Sequence, residues 1–155
     1  MAAARIVVAV AVISAIATSV AAGQRAAVGV VGTVVASDPV FVGAGPSARW
    51  VIGRHVGLAA SLQAGSRGGR FVGRGEATVQ MRLPPVGRPV TAGPTWYLAG
   101  GLAAVSRGEP EAALVAAIGV EIPSGRRGAT WVVEAGVGGG ARLVTGFRLP
   151  VGRRQ

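Results

Sequence analysis

The sequence contains no cysteine, no lysine and no asparagine, and it has a single histidine. Without cysteine, a disulfide framework, a thiolate zinc site and a cysteine nucleophile are all excluded. Charge is also scarce, because 14% of the residues are charged against roughly 25% in an ordinary soluble domain. Beyond the N-terminal segment, no stretch reaches the roughly 18 consecutive apolar residues that a membrane-spanning helix requires.

What the chain has in abundance is glycine, with 26 of its 155 residues. Each glycine lowers the stability of a helix by about 1 kcal/mol when it lies in the helix interior. The glycines do not recur at every third position, so the chain is not a collagen. All sixteen basic residues are arginine, and the net charge is +10. They are spread along candidate strands and turns instead of gathering on one helical face or in a tail. The composition therefore indicates a β-rich protein and does not favour nucleic-acid binding.

Residues 1–22 have the order of a secretory signal peptide. Arg5 supplies a positive charge, residues 6–17 are apolar or small, and small residues follow at 19–22. The apolar run is short for a transmembrane anchor and lacks a charged stop on its far side. We expect cleavage near Ala22, which leaves residues 23–155 as a single domain.

The mature part alternates with a period of two, most clearly over residues 70–83. One face holds Phe71, Gly73, Gly75, Ala77, Val79, Met81 and Leu83, and the other holds Arg70, Arg74, Glu76, Thr78, Gln80 and Arg82. Only Val72 is out of place. A helix would mix these two sets around its circumference, whereas a strand separates them.

The same alternation predicts eight strands in all. They cover residues 25–35, 41–52, 55–64, 70–83, 95–105, 111–122, 130–138 and 142–149. Glycine- and proline-rich turn signals separate them. Strands of this number and spacing predict a β-sandwich or an up-and-down barrel.

The distribution of charge favours a membrane barrel. The apolar face is nearly free of charge, while the opposite face carries Arg49, Arg74, Glu76, Arg82, Glu121, Glu134, Arg142 and Arg148. Segments of about ten residues suit a tilted strand that crosses a bilayer. Trp50, Trp96 and Trp131 fall on the apolar face near strand ends, as an interfacial aromatic belt requires. We therefore predict an all-β, eight-stranded antiparallel up-and-down transmembrane β-barrel. The alternative is a soluble periplasmic β-barrel that binds a small lipophilic ligand.

Four stretches, at residues 43–47, 96–101, 131–136 and 145–148, are similar to repeating features of small outer-membrane barrels. The chain resembles the eight-stranded OmpX-like or OmpA-barrel type. This resemblance implies a bacterial outer-membrane location, termini in the periplasm, short periplasmic turns and longer outer loops. Outer-membrane lipid and the outer-membrane assembly machinery are the implied partners. The chain departs from the family in one respect. Family members commonly end on an aromatic residue that the assembly machinery recognises, whereas here residues 148–155 follow Phe147.

The charged face is expected to form ion pairs across adjacent strands that plug the lumen. A structural or membrane-interaction role without catalysis is the leading interpretation. A narrow anion-preferring pore is the alternative, because arginine exceeds glutamate on that face. Hydrolysis of envelope lipid at the rim is a third hypothesis, yet His55 has no serine close to it, and Ser61 lies about 20 Å further along the strand. No cofactor motif and no metal-ligand cluster occurs in the sequence.

Overall fold

The computed structural model describes residues 26–83, 93–107, 109–124 and 128–151. These residues form eight strands: β1 (Ala26–Ala36), β2 (Phe41–Val51), β3 (Val56–Arg67), β4 (Arg70–Arg82), β5 (Thr95–Arg107), β6 (Glu109–Pro123), β7 (Thr130–Val137) and β8 (Ala141–Val151). The predicted signal peptide, residues 1–22, lies outside the described residues. Among the described residues, no helix is long and apolar enough to cross a membrane.

Each strand pairs antiparallel with the next, and the last strand returns to the first, so the sheet is a closed barrel. The closing ladder between β1 and β8 runs without interruption from Ala26 opposite Val151 to Ala36 opposite Ala141. Closure leaves no strand edge with unpaired backbone donors and acceptors. The predicted closed, eight-stranded, antiparallel up-and-down barrel is confirmed.

The strand boundaries differ little from the sequence prediction. The largest shift is in β3, which extends three residues further to Arg67, while β5, β6 and β8 each gain two residues at one end. His55 was expected to start the third strand, but it lies in the connection before Val56 and is exposed. The alternation of side chains could not locate these ends, because hairpin pairing continues past the point where the alternation is lost.

Apolar side chains cover the outside of the barrel and polar side chains fill its inside. Leu102 and Leu114 point outward and are 60% and 79% exposed, whereas Arg74 and Gln80 point inward and are 3% and 1% exposed. A soluble barrel would have the reverse arrangement. The alternative of a soluble barrel with a lipophilic interior is therefore wrong, because the apolar face of the strands does not line the lumen.

The two open ends of the barrel differ in the length of their connections. At the terminal mouth, where β1 begins and β8 ends, residues 52–55, 83–94 and 124–129 connect the strands. At the far mouth, the connections are residues 37–40, 68–69, 108 and 138–140. The longer connections therefore lie at the terminal mouth, which reverses the family pattern of short turns on that side.

The shortest described hairpin tip shows how the far mouth is kept compact. Gly68 and Gly69 adopt φ angles of 60° and 75° and bring Arg67 opposite Arg70. Positive φ at both central residues is the requirement of a type I′ turn, whose twist matches that of the flanking strands. A Gly-Gly pair satisfies it without steric cost.

Candidate functional site

All eight charged residues that the sequence placed on one face project into the lumen. Together with Gln80 and Tyr97 they form what we call the lumen network: Arg49, Arg74, Glu76, Gln80, Arg82, Tyr97, Glu121, Glu134, Arg142 and Arg148. Most of these side chains are buried, and Arg82 is the most open of the charged ones, at 35% side-chain exposure.

Two arginines and two glutamates form a balanced cluster in the half of the barrel toward the far mouth. Arg142 Nη2 lies 2.7 Å from Glu76 Oε1 and 3.0 Å from Glu134 Oε2, so one guanidinium joins both carboxylates. Arg74 Nη2 lies 3.3 Å from Glu76 Oε2 and also donates to the carbonyl oxygen of Gly138 at 3.1 Å. Formal charge within this cluster sums to zero.

Three arginines share a single carboxylate at the terminal mouth, and we call this group the terminal cluster. Glu121 lies 2.7 Å from Arg82 Nη2 and 3.4 Å from Arg49 Nε. Its Oε1 lies 3.6 Å from Arg148 Nη1, which is too long for a hydrogen bond. The terminal cluster therefore carries an excess of positive charge that the balanced cluster does not share.

Gln80 connects the two clusters, and Tyr97 bonds to the same glutamate of the balanced cluster. Tyr97 Oη donates a 2.6 Å hydrogen bond to Glu134 Oε1, and Gln80 Nε2 donates to the same oxygen at 3.4 Å. Arg49 Nε donates to Gln80 Oε1 at 2.9 Å, which completes a path from one cluster to the other. Gly119 leaves space for the Tyr97 ring, since a Cβ there would lie 2.4 Å from it.

The pairing pattern differs from the expectation of ion pairs between adjacent strands. Within the lumen network, whose side chains the structure describes, only the pair of Glu134 and Arg142 joins neighbouring strands, β7 and β8. Arg142 reaches Glu76 on β4, and Arg49 on β2 reaches Glu121 on β6. The lumen of an eight-stranded barrel is just wide enough to be filled by side chains, so a long arginine can span it.

An apolar layer closes the lumen at the far mouth. Val35, Phe41, Val72 and Val105 are all buried there and contact one another. The guanidinium of Arg74 lies 5.8 Å from the centroid of the Phe41 ring, which places the balanced cluster directly beneath this layer. Val72, which broke the alternation of the fourth strand, is thus an inward residue of this layer.

A small cavity lies between the two clusters. Its volume is about 20 Å³, and Ser47, Gln63, Arg142 and Arg148 are among the residues that line it. A space of that size holds about one water molecule. The interior is therefore filled from the far mouth to the level of Glu121.

The three tryptophans all point outward, near the terminal mouth. Trp96 and Trp131 are 53% and 51% exposed, and Trp50 is half-buried. Trp131 packs edge-to-face on Phe147 with the ring centroids 5.2 Å apart. At the far mouth the exposed aromatic side chain is Phe71, which is 82% exposed. The aromatic residues thus form one tryptophan-rich rim instead of two.

The residues considered for catalysis do not come together. His55 is exposed in the connection between β2 and β3, while Ser61 accepts a 3.0 Å hydrogen bond from Gln63 inside the lumen. Inside the lumen, the carboxylates of Glu121 and Glu134 each pair with an arginine. Within the part of the chain that the structure describes, no group of three or more acidic, histidine or cysteine side chains could hold a metal ion.

Comparison with known proteins identifies the architecture. No protein-family model and no curated protein matches the sequence. Among solved structures, Neisserial surface protein A (NspA) is similar with a TM-score of 0.56 and 12% identity, over 82% of this chain and 96% of that one. Ail, the attachment invasion locus protein of Yersinia pestis, has a TM-score of 0.47 and 13% identity, over 83% and 95%. The resemblance to small OmpX-like outer-membrane barrels is confirmed at the level of the fold.

The balanced cluster yields a prediction about stability. Replacing Glu134 by Gln removes the charge that faces Arg142, whose side chain is 1% exposed. Breaking one side of a buried ion pair costs about 3–5 kcal/mol, and we expect a loss of this size in the free energy of unfolding in urea. Glu111→Gln is the matched control, because Glu111 is 54% exposed and an exposed pair contributes at most about 1 kcal/mol. Equal losses in the two variants would contradict the assignment of Glu134 as a structural centre of the network.

Proposed function

We propose that this chain is an integral protein of a bacterial outer membrane, with a structural or membrane-interaction role and a lumen that does not conduct. The observation that carries the proposal is the exterior of the barrel. Among the strand residues whose side chains the structure describes, no outward position carries a charge. Exposed apolar surface this extensive is rare on a soluble monomer and marks contact with lipid or with another protein.

The Trp rim supports lipid as the contacting phase. Tryptophan prefers the boundary between hydrocarbon and water, where its ring is buried and its N–H remains hydrated. With Trp50, Trp96 and Trp131 at the terminal mouth, that mouth lies at one membrane surface. Closure of the β1 and β8 ladder satisfies the backbone without water, as a hydrocarbon environment requires.

The proposed location includes an export step and an orientation. Residues 1–22 direct the chain out of the cytoplasm, and the outer-membrane assembly machinery inserts the barrel. The terminal mouth then faces the periplasm, and the far mouth faces outward. With residues 68–69 and 138–140 among its outer connections, the barrel offers little outer surface for binding a large partner.

A non-conducting lumen follows from the two barriers inside it. An ion crossing from the far mouth would first meet the apolar layer of Val35, Phe41, Val72 and Val105, and then the balanced cluster. Neither leaves a continuous channel, since the cavity between the clusters is about 20 Å³. The excess of arginine, which suggested an anion-preferring pore, lies below these barriers.

The location is tested by fractionating cells that express the full chain with a C-terminal tag. We expect the protein in the outer-membrane fraction, retained after washing with urea, because a barrel held by lipid contact does not dissociate as a peripheral protein does. A protein found in the soluble periplasm, or released by the wash, would refute the proposal.

Contact with lipid is tested by placing a charge at two depths on the exterior. Leu102 lies in the middle of β5 and Leu149 lies near the end of β8, and both side chains point outward. In phospholipid vesicles, Leu102→Arg should lower the free energy of unfolding by about 2–4 kcal/mol, and Leu149→Arg by about 1 kcal/mol or less. Similar losses at both positions would mean that the exterior does not face a bilayer.

Conduction is tested by recording from the purified barrel in planar bilayers. We expect no steady conductance, because the lumen is filled over most of its length. Steady, anion-selective conductance would instead support the pore and would show that the apolar layer opens.

A further inference from the structure

The terminal mouth contains a vestibule that the filled part of the lumen does not reach. Its volume is about 190 Å³, and the charged side chains that line it are Arg49, Arg82, Glu121 and Arg148. Thr130, Pro150 and the start of β1 complete the wall. Pockets for drug-sized ligands are roughly 300–1,000 Å³, so this space suits a small ion or a single headgroup.

The excess positive charge of the lumen network lies entirely at this vestibule. The balanced cluster pairs two arginines with two glutamates, whereas the terminal cluster has three arginines and one glutamate. Surrounding lipid and a filled lumen lower the local dielectric constant, so repulsion among these guanidinium groups is screened less than in water. A bound anion would relieve it.

Several donors at the vestibule make no hydrogen bond to any described residue. Arg148 is 5% exposed, and its Nε and Nη1 are buried without a hydrogen bond, although Nη1 lies 3.6 Å from Glu121 Oε1. Arg82 Nε is in the same condition. A buried donor left unsatisfied costs about 1–3 kcal/mol. Arg74 and Arg142 also have buried donors without a hydrogen bond, but the cavity beside Arg142 is about 20 Å³, whereas the vestibule beside Arg82 and Arg148 is about 190 Å³.

We propose that the vestibule binds a phosphate group between Arg82 and Arg148, with Arg49 supplying additional positive charge. Guanidinium groups present N–H donors in a planar fork that matches tetrahedral oxyanions, and the donors required are the unpaired ones. The phosphate group belongs either to free inorganic phosphate or to the headgroup of a lipid at the same membrane surface. The inference rests on the proposed membrane location, whereas its test with inorganic phosphate requires only the folded barrel.

The test is calorimetric titration of inorganic phosphate into the purified, folded chain in a zwitterionic detergent, at constant ionic strength set with chloride. We expect saturable binding that Arg82→Gln weakens roughly ten- to hundredfold, the loss expected for a charge-assisted hydrogen bond. Arg82 is partly exposed at the mouth, so this variant should keep its fold. Arg70→Gln is the control. This substitution removes one positive charge, as Arg82→Gln does, but at the exposed far mouth, so phosphate binding should stay unchanged.

A variant that is expected to change phosphate affinity in the opposite direction strengthens the test. Glu121→Gln removes the one carboxylate of the terminal cluster and should tighten phosphate binding by roughly tenfold. Circular dichroism of each variant establishes that the barrel is folded before titration. Equal phosphate affinity in the Arg82→Gln and Arg70→Gln variants would overturn the proposal. So would a Glu121→Gln variant that binds phosphate no more tightly than the unchanged chain does.

The source of the phosphate group is distinguished by a second titration with micelles that contain phosphatidylglycerol. Binding of inorganic phosphate alone assigns a soluble ligand, and binding of phosphatidylglycerol alone assigns a lipid headgroup, provided that Arg82→Gln weakens it. Absence of binding in both titrations would overturn the proposal, even if the barrel fractionates with the outer membrane as proposed above.

Discussion

The pairing of β1 with β8 is the contact on which the rest of the molecule depends. Because this ladder joins Ala26 to Val151 and continues to Ala36 and Ala141, eight strands close into a ring of fixed circumference. The ring fixes the width of the lumen. Because the lumen is narrow, an arginine on one wall reaches a glutamate on the opposite wall. An open sheet of the same sequence would leave these charges in water and the backbone edges unpaired.

The interior has three levels, the apolar layer, the balanced cluster and the terminal cluster, and each has a different physical role. The apolar layer around Phe41 excludes water at the far mouth, and the balanced cluster below it fixes the positions of distant strands through one shared guanidinium. Buried ion pairs of this kind contribute little net stability compared with apolar packing, but losing one partner is costly. The terminal cluster alone departs from charge balance, and it is also the level that opens to the outside of the lumen.

Much of the fold could be predicted because the strand period separates two chemically different faces. Residues 70–83 illustrate this, since Arg74, Glu76 and Arg82 face inward, and Val72 faces inward with them. The connectivity of the network could not be predicted, because it depends on the barrel width that brings Arg49 to Glu121 across the lumen. Alternation puts Tyr97 on the strand face opposite to that of Trp96, but the bond of Tyr97 to Glu134 depends on the space left by Gly119, and that space depends on the register of β5 and β6.

The short connections of the far mouth have a consequence for how the barrel enters a bilayer. In the proposed orientation, the hairpin tips of the far mouth must cross the hydrocarbon before the strands can span the bilayer. The tip between β3 and β4 is a pair of glycines, and that between β7 and β8 is three more. These two tips carry no side chain of their own through the lipid, so the charge that must cross with the first is that of the flanking Arg67 and Arg70. The longer, arginine-bearing connections remain on the side from which insertion starts.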